Sequence, residues 1–209
     1  MKRRASIAFL AALAALPLQA FTPDLDLVYP RGGQRGTEVQ VVFSGDRLDG
    51  IQEALFYESG LTLEAIEVKD SKRVTAKLRI AADAPLGEHR LRLRSPGGLT
   101  DLKTFWVGPF PVVEETDPND TFDKPQRVDL NVTVAGVSKN EDEDYYVCSL
   151  KKGQRLSVEV EAMRLGRLMY DAYVAILDPK RFELAACDDA PLLRNDAFAT
   201  IIAPEDGDY

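Results

Sequence analysis

Residues 74–80 read Val74-Thr75-Ala76-Lys77-Leu78-Arg79-Ile80. Apolar and polar side chains take strict turns, and a period of two places every apolar member on one face of an extended strand. The same alternation recurs on either side. Val39, Val41 and Phe43 interleave with Gln40, Val42 and Ser44, and Leu91 and Leu93 lie between Arg90, Arg92 and Arg94. Further on, Leu156, Val158 and Val160 interleave with Ser157, Glu159 and Glu161. Turn formers separate the runs: Arg31-Gly32-Gly33, Asp49-Gly50, Ser95-Pro96-Gly97-Gly98, Lys152-Gly153 and Asp206-Gly207. Short strands at this spacing predict an all-β protein of two antiparallel β-sandwich modules. No long amphipathic helix competes. Ile51 to Leu61 reads as at most one helical turn, and Ala162 to Leu168 fits either state.

The first twenty residues set the destination. Lys2, Arg3 and Arg4 precede an apolar run from Ala5 to Leu16, Pro17 ends it, and Gln19-Ala20 leads into the polar change at Phe21-Thr22-Pro23. This order is that of a cleaved secretory signal peptide, and the apolar run is too short to span a bilayer. The expected location is therefore the periplasm, cell surface or extracellular space. The leader carries three of the 26 basic residues and none of the 34 acids, so the formal net charge falls from −8 to −11 on cleavage. That balance excludes nucleic acid, whose binding needs Lys and Arg against phosphate, and is compatible with cations. No second hydrophobic segment suggests a transmembrane protein.

Composition also divides the chain. Gly108-Pro109-Phe110-Pro111 followed by the acidic stretch Glu114 to Asp120 has the character of a linker. The predicted organisation is a signal peptide over 1–20, a first sandwich over 21–110 and a second over 111–209. The end of the chain, Ala203 to Tyr209, reads as a turn leading into another strand, so the second sandwich is expected to lack its last strand here and to belong to a longer polypeptide. In an oxidising compartment Cys148 and Cys187 can form one disulfide, although Cys148 would serve equally as a small buried hydrophobe.

The second unit resembles the bacterial pre-peptidase C-terminal domain, a β-sandwich found beside secreted peptidases and in other exported proteins. The resemblance runs through Glu115-Thr116-Asp117-Pro118-Asn119-Asp120-Thr121-Phe122, Val132 to Gly136, Asp144-Tyr145-Tyr146, Lys152 to Leu156, Ala162 to Gly166, Ile176-Leu177-Asp178, Asp188-Asp189 and Pro204 to Tyr209. The two cysteines stand where that family requires none. The first unit looks like an immunoglobulin-like module of the IPT/TIG type. Pro30, Gly33, Gly36, Thr37, Val39 and Val41 match its opening, and Ala84-Pro85-Leu86-Gly87 with Leu91 and Leu93 matches a late hairpin; Gly45 falls two residues later than that pattern expects.

The candidate site is acidic. Glu115, Asp117, Asn119 and Asp120 supply four oxygen-bearing side chains within six residues, and Glu141, Asp142, Glu143 and Asp144 supply four more before a strand. Ca²⁺ takes about six to eight oxygen ligands in flexible geometry. In the collagen-binding relatives of this family, acids of the opening motif and of the loop before the Asp-Tyr-Tyr strand hold calcium. By resemblance the ligands here are Glu115, Asp117, Asn119, Asp120, Glu141 or Asp142, and Asp144. The same residues would serve equally to solvate a linker and to cap turns.

Other candidates carry less. Asp188 and Asp189 are adjacent, and paired carboxylates for hydrolysis need separation across a cleft. His89, the single histidine, lies in Glu88-His89-Arg90 and is read as a surface residue on the polar phase of its strand. The Arg90, Arg92 and Arg94 stripe is read as a solvated face. Tyr145, Tyr146, Tyr170 and Tyr173 are weighed as a binding platform against rim packing. No nucleophile, base or multi-histidine metal constellation is visible. The leading expectation is an exported, non-catalytic binding or spacer protein at the bacterial surface, stabilised by Ca²⁺ and facing an extracellular polymer, a protein surface or further domains of a parent chain. The alternative is the non-catalytic N-terminal part of a larger secreted peptidase or other hydrolase.

Overall fold

The computed structural model describes residues 22–137, 139, 142–166 and 170–209. The expected leader and Glu141 lie outside the described residues. The fold is all-β, and among the described residues no helix is long and apolar enough to cross a membrane.

Nine strands make the first half: β1 (Asp24–Tyr29), β2 (Gly32–Gln34), β3 (Glu38–Asp46), β4 (Glu53–Phe56), β5 (Leu61–Val68), β6 (Arg73–Ile80), β7 (Gly87–Ser95), β8 (Gly98–Leu99) and β9 (Lys103–Gly108). One sheet has the order β1-β3-β6-β5 and is antiparallel throughout. The other runs β2-β9-β7-β4, with β8 folded onto β7 and β2 parallel to β9. On β6 the alternation read from sequence is the burial pattern: Val74, Ala76, Leu78 and Ile80 are 0, 3, 1 and 1% exposed. Between them Lys77 pairs with Glu38 and Glu64 on the flanking strands, and Arg79 pairs with Glu64. The buried face meets Leu91, Leu93, Phe105 and Val107 of the second sheet, with Val41 and Phe43 alongside, in one continuous core.

Two readings change here. The stretch expected to supply a helical turn contains β4, an edge strand paired to β7. His89 is buried, not on the surface: it shares the parity of Leu91 and Leu93 on β7, so the sheet turns it inward, where Nε2 meets the Pro85 carbonyl oxygen at 2.8 Å. The expectation that it lies on the polar phase of the strand is thus overturned. The arginines of that strand are paired, Arg90 with Glu58 and Arg94 with Glu53, while Arg92 donates to the Thr100 carbonyl oxygen.

The second half is built from short ladders: β10 (Val112–Glu114), β11 (Gln126–Arg127), β12 (Thr133–Ala135), β13 (Tyr146–Val147), β14 (Ser149–Leu150), β15 (Arg155–Glu159), β16 (Val174–Leu177), β17 (Glu183–Cys187), β18 (Phe198–Ile202) and β19 (Gly207–Asp208). β14–β19, β15–β18 and β16–β17 are antiparallel, whereas β10–β12 and β11–β13 are parallel. Cys148, Leu150, Ala203 and Tyr209 form its core, and Tyr209 exchanges both main-chain hydrogen bonds with Cys148. Cys148 and Cys187 are free thiols. Cys148 packs in this core beside β14, while Cys187 sits opposite Val174 on β17.

A 3-10 turn, Met163–Leu165, lies in the ambiguous stretch and contacts the first half. The fully buried Asp196 carboxylate accepts the main-chain N–H groups of Ala162, Met163 and Arg164, satisfying donors that a helical start leaves open. It also accepts Arg164 Nε at 2.6 Å. The Arg164 guanidinium reaches Glu159 at 2.7 Å and stacks 5.4 Å from the Trp106 ring of β9. Next to it the Leu165 carbonyl oxygen accepts from Arg31 Nη1 at 2.6 Å and from Thr104 Oγ1 at 2.8 Å.

Glu161 adjoins this bracket, and burial pushes its carboxyl up to about 7; Arg164 opposes the shift, while Glu159 and Asp196 add to it. An unfolded glutamate titrates near 4.3. The native state therefore holds this proton more tightly, and the resulting stability is present below about pH 4 and is lost as pH rises through 7. Glu161→Gln should thus gain stability relative to wild type between pH 5 and pH 8, read as urea midpoints at both values. A difference that stays constant over that range would refute the assignment.

Candidate functional site

The site forms where β10 enters the second half. Parallel pairing with β12 carries on past the strand ends, so the Glu115 N–H donates to the Ala135 carbonyl oxygen at 3.0 Å. Glu115 then lies over Gly136, where an added Cβ would stand 2.6 Å from Glu115 Oε2. The carboxylate accepts the Val137 N–H at 3.1 Å and the Tyr146 hydroxyl at 2.5 Å. That hydroxyl is held well above its ordinary range, by burial first and then by the hydrogen bond to Glu115, so it stays a donor.

A second connection aligns the other segment. The Tyr145 N–H donates to the Asn119 carbonyl oxygen at 2.9 Å, and the Gln126 N–H to the Tyr145 carbonyl oxygen at 2.8 Å. The Gln126 side chain closes the loop by accepting from the Thr116 N–H and donating to the Glu114 carbonyl oxygen. The opening motif and the Asp-Tyr-Tyr strand are thereby set side by side.

Carboxylate oxygens consequently converge. One oxygen each from Glu115, Asp117 and Asp144 lie within 4.8 Å of one another, as do oxygens of Asp120, Asp142 and Asp144. Asp144 belongs to both groups. Burial and then the charges of Glu115, Asp142 and Asp117 push its carboxyl up to about 6. Like charges this close disfavour ionisation of each other unless a cation joins them.

Asn119 adds an independent feature. It is 1% exposed; its Nδ2 points to the Tyr145 carbonyl oxygen at 3.5 Å, and its Oδ1 has no hydrogen-bond partner among the described residues. The side chain lies against the Tyr146 hydroxyl, the one that binds Glu115, and so borders the acids. A buried amide oxygen left unpaired costs about 1–3 kcal/mol. Amide and carboxylate oxygens are the ligand type that hard cations such as Ca²⁺ take.

Five of the seven residues expected from sequence, Glu115, Asp117, Asp120, Asp142 and Asp144, converge in two groups that share Asp144, and Asn119 adjoins them through the Tyr146 hydroxyl that binds Glu115. Three contributors were missed: Gly136, which leaves room for Glu115; Tyr146, which orients it; and Lys139, whose ammonium pairs with Asp117. A lysine two residues ahead of the acidic run Glu141 to Asp144 was the available signal for the last. Three of the candidate tyrosines have separate partners. Tyr145 packs edge-on to Phe122, 6.2 Å between centroids, Tyr146 is turned to Glu115, and Tyr173 is exposed and donates to Glu183.

No family model and no curated protein matches the chain. Among solved structures it is similar to the Bacteroides ovatus SGBP-B of a mixed-linkage glucan utilization locus, seen with a mixed-linkage heptasaccharide (16% identity, TM-score 0.33, 52% of this chain and 26% of that one). It is also similar to the Yersinia pseudotuberculosis adhesin InvE (13% identity, TM-score 0.31, 89% of this chain and 51% of that one). The chain spans about a quarter of the first and half of the second.

The packing at Gly136 gives a test that touches no acid. Gly136→Ala should leave the fold intact, because the atom in its way is the end of a flexible side chain, yet push Glu115 off Tyr146. The expected result is an unchanged circular dichroism spectrum with a Tyr146 hydroxyl resonance displaced by NMR. An undisturbed resonance would show that Glu115 is not held by this contact.

Proposed function

We propose that this is an exported, non-catalytic binding or spacer protein of the bacterial cell surface or envelope, stabilised by Ca²⁺ at the acid cluster. One observation carries the reading: carboxylates from two separate segments meet beside a buried, unpaired amide oxygen. Glu115, Asp117, Asn119, Asp120, Asp142 and Asp144 would hold the ion. Its contribution there is structural, neutralising crowded charge and pinning the entry to the second half against the strand that follows Asp144.

The arrangement suits spacing. The ligands come from the segment between the halves and from the loop leading into β13, so an ion fastens the connection itself. The resemblance of the opening motif to pre-peptidase C-terminal domains points the same way, as does the bracket at Trp106 and Arg164, which joins the first half to the second by side-chain and main-chain contacts.

A ligand that binds only the native state must stabilise it, by about 2.7 kcal/mol at a hundred times Kd. For a domain of this size that is a rise in Tm of about 5–10 °C. Thermal melts in millimolar CaCl₂ against chelator should show such a rise in wild type and little or none in Asp144→Asn, which removes the carboxylate common to both groups. Equal midpoints for wild type in calcium and chelator would sink the proposal.

A further inference from the structure

The acid cluster already has a cation of its own. The Lys139 ammonium pairs with Asp117, while the Lys139 main-chain N–H donates to Asp142 Oδ2 at 2.7 Å. One residue thus engages an acid from each of the two groups that share Asp144. The lysine side chain is 62% exposed and Asp117 45%, so the pair is made at the mouth of the site on a flexible stem. Such a pair is weak and easily exchanged. It is also placed where an incoming ion would need the Asp117 oxygen.

We propose that Lys139 is a built-in competitor for the divalent cation: its ammonium neutralises the carboxylates when no ion is bound, and Ca²⁺ must displace it from Asp117. This rests on the cation reading given above and adds its regulation. Coordination by Ca²⁺ exchanges one monovalent contact for a divalent one and releases the lysine from Asp117. The lysine therefore sets a threshold. Below it the site is closed by the protein's own charge, and above it the metal takes over. Asn119 marks the difference between the two occupants. An ammonium held by Asp117 leaves Asn119 Oδ1 without a partner, whereas a multidentate ion can engage both.

The two roles predict opposite effects of one substitution. Lys139→Gln should lower Tm in chelator, because the carboxylates lose their counter-charge. The same variant should bind Ca²⁺ up to about fivefold more tightly by isothermal titration, the span an exposed ion pair can account for. Lys139→Arg, which keeps the charge, should stay close to wild type in both measurements. Wild-type binding of Ca²⁺ with equal or weaker binding by Lys139→Gln would overturn the competitor role and leave the cation site standing. Absence of calcium heats in both wild type and Lys139→Gln would overturn the cation site, and the competitor role with it.

Discussion

Carboxylates repel when held within 4.8 Å of one another, and the second half of this chain gathers them in two groups that share Asp144. That repulsion has to be opposed by something. Main-chain pairing does part of the work: β10 on β12 fixes Glu115, and the Asn119–Tyr145 contact fixes the facing segment. Donors do another part, since the Tyr146 hydroxyl, the Val137 N–H and the Lys139 N–H each point at an acid. The remainder falls to positive charge, supplied by Lys139 within the protein and by a divalent ion in the function proposed. Crowded acids are tolerable in a fold when their neutralisation is part of how the fold is held.

The first half is governed differently. Its sandwich buries a continuous apolar core and keeps its charges in cross-strand pairs on the outer face, which keeps them solvated and adds little to stability. What joins it to the second half, beyond the connecting segment itself, is the 3-10 turn. Asp196 organises that turn from within, and Arg164 carries the connection outward to Trp106. A fully buried carboxylate with several donors is stable only while all of them stay in place, so this junction is costly to disturb.

How much of this was legible in the sequence depended on the range of each interaction. Period-two alternation located β3, β6, β7 and β15 because strand burial is local. His89 shares the parity of Leu91 and Leu93, and assigning it to the polar phase beside Glu88 and Arg90 put it on the wrong face. The acids were found because they cluster in sequence, yet their convergence depends on parallel pairings across tens of residues that no local pattern encodes. Asp196 and Arg164 lie 32 residues apart, and neither has a signature that announces the other. Gly136 was visible only as a glycine, and the carboxylate it makes room for stands 21 positions earlier.

The central claim is that the acids and Asn119 form a cation site with Lys139 as its resident rival. A crystal structure of the protein grown in CaCl₂ tests it most directly. The account predicts an ion bonded to Asp144 and to Asn119 Oδ1 at about 2.3–2.6 Å, with Lys139 swung away from Asp117. Density for the Lys139 ammonium still on Asp117, and only water beside Asn119, would contradict it.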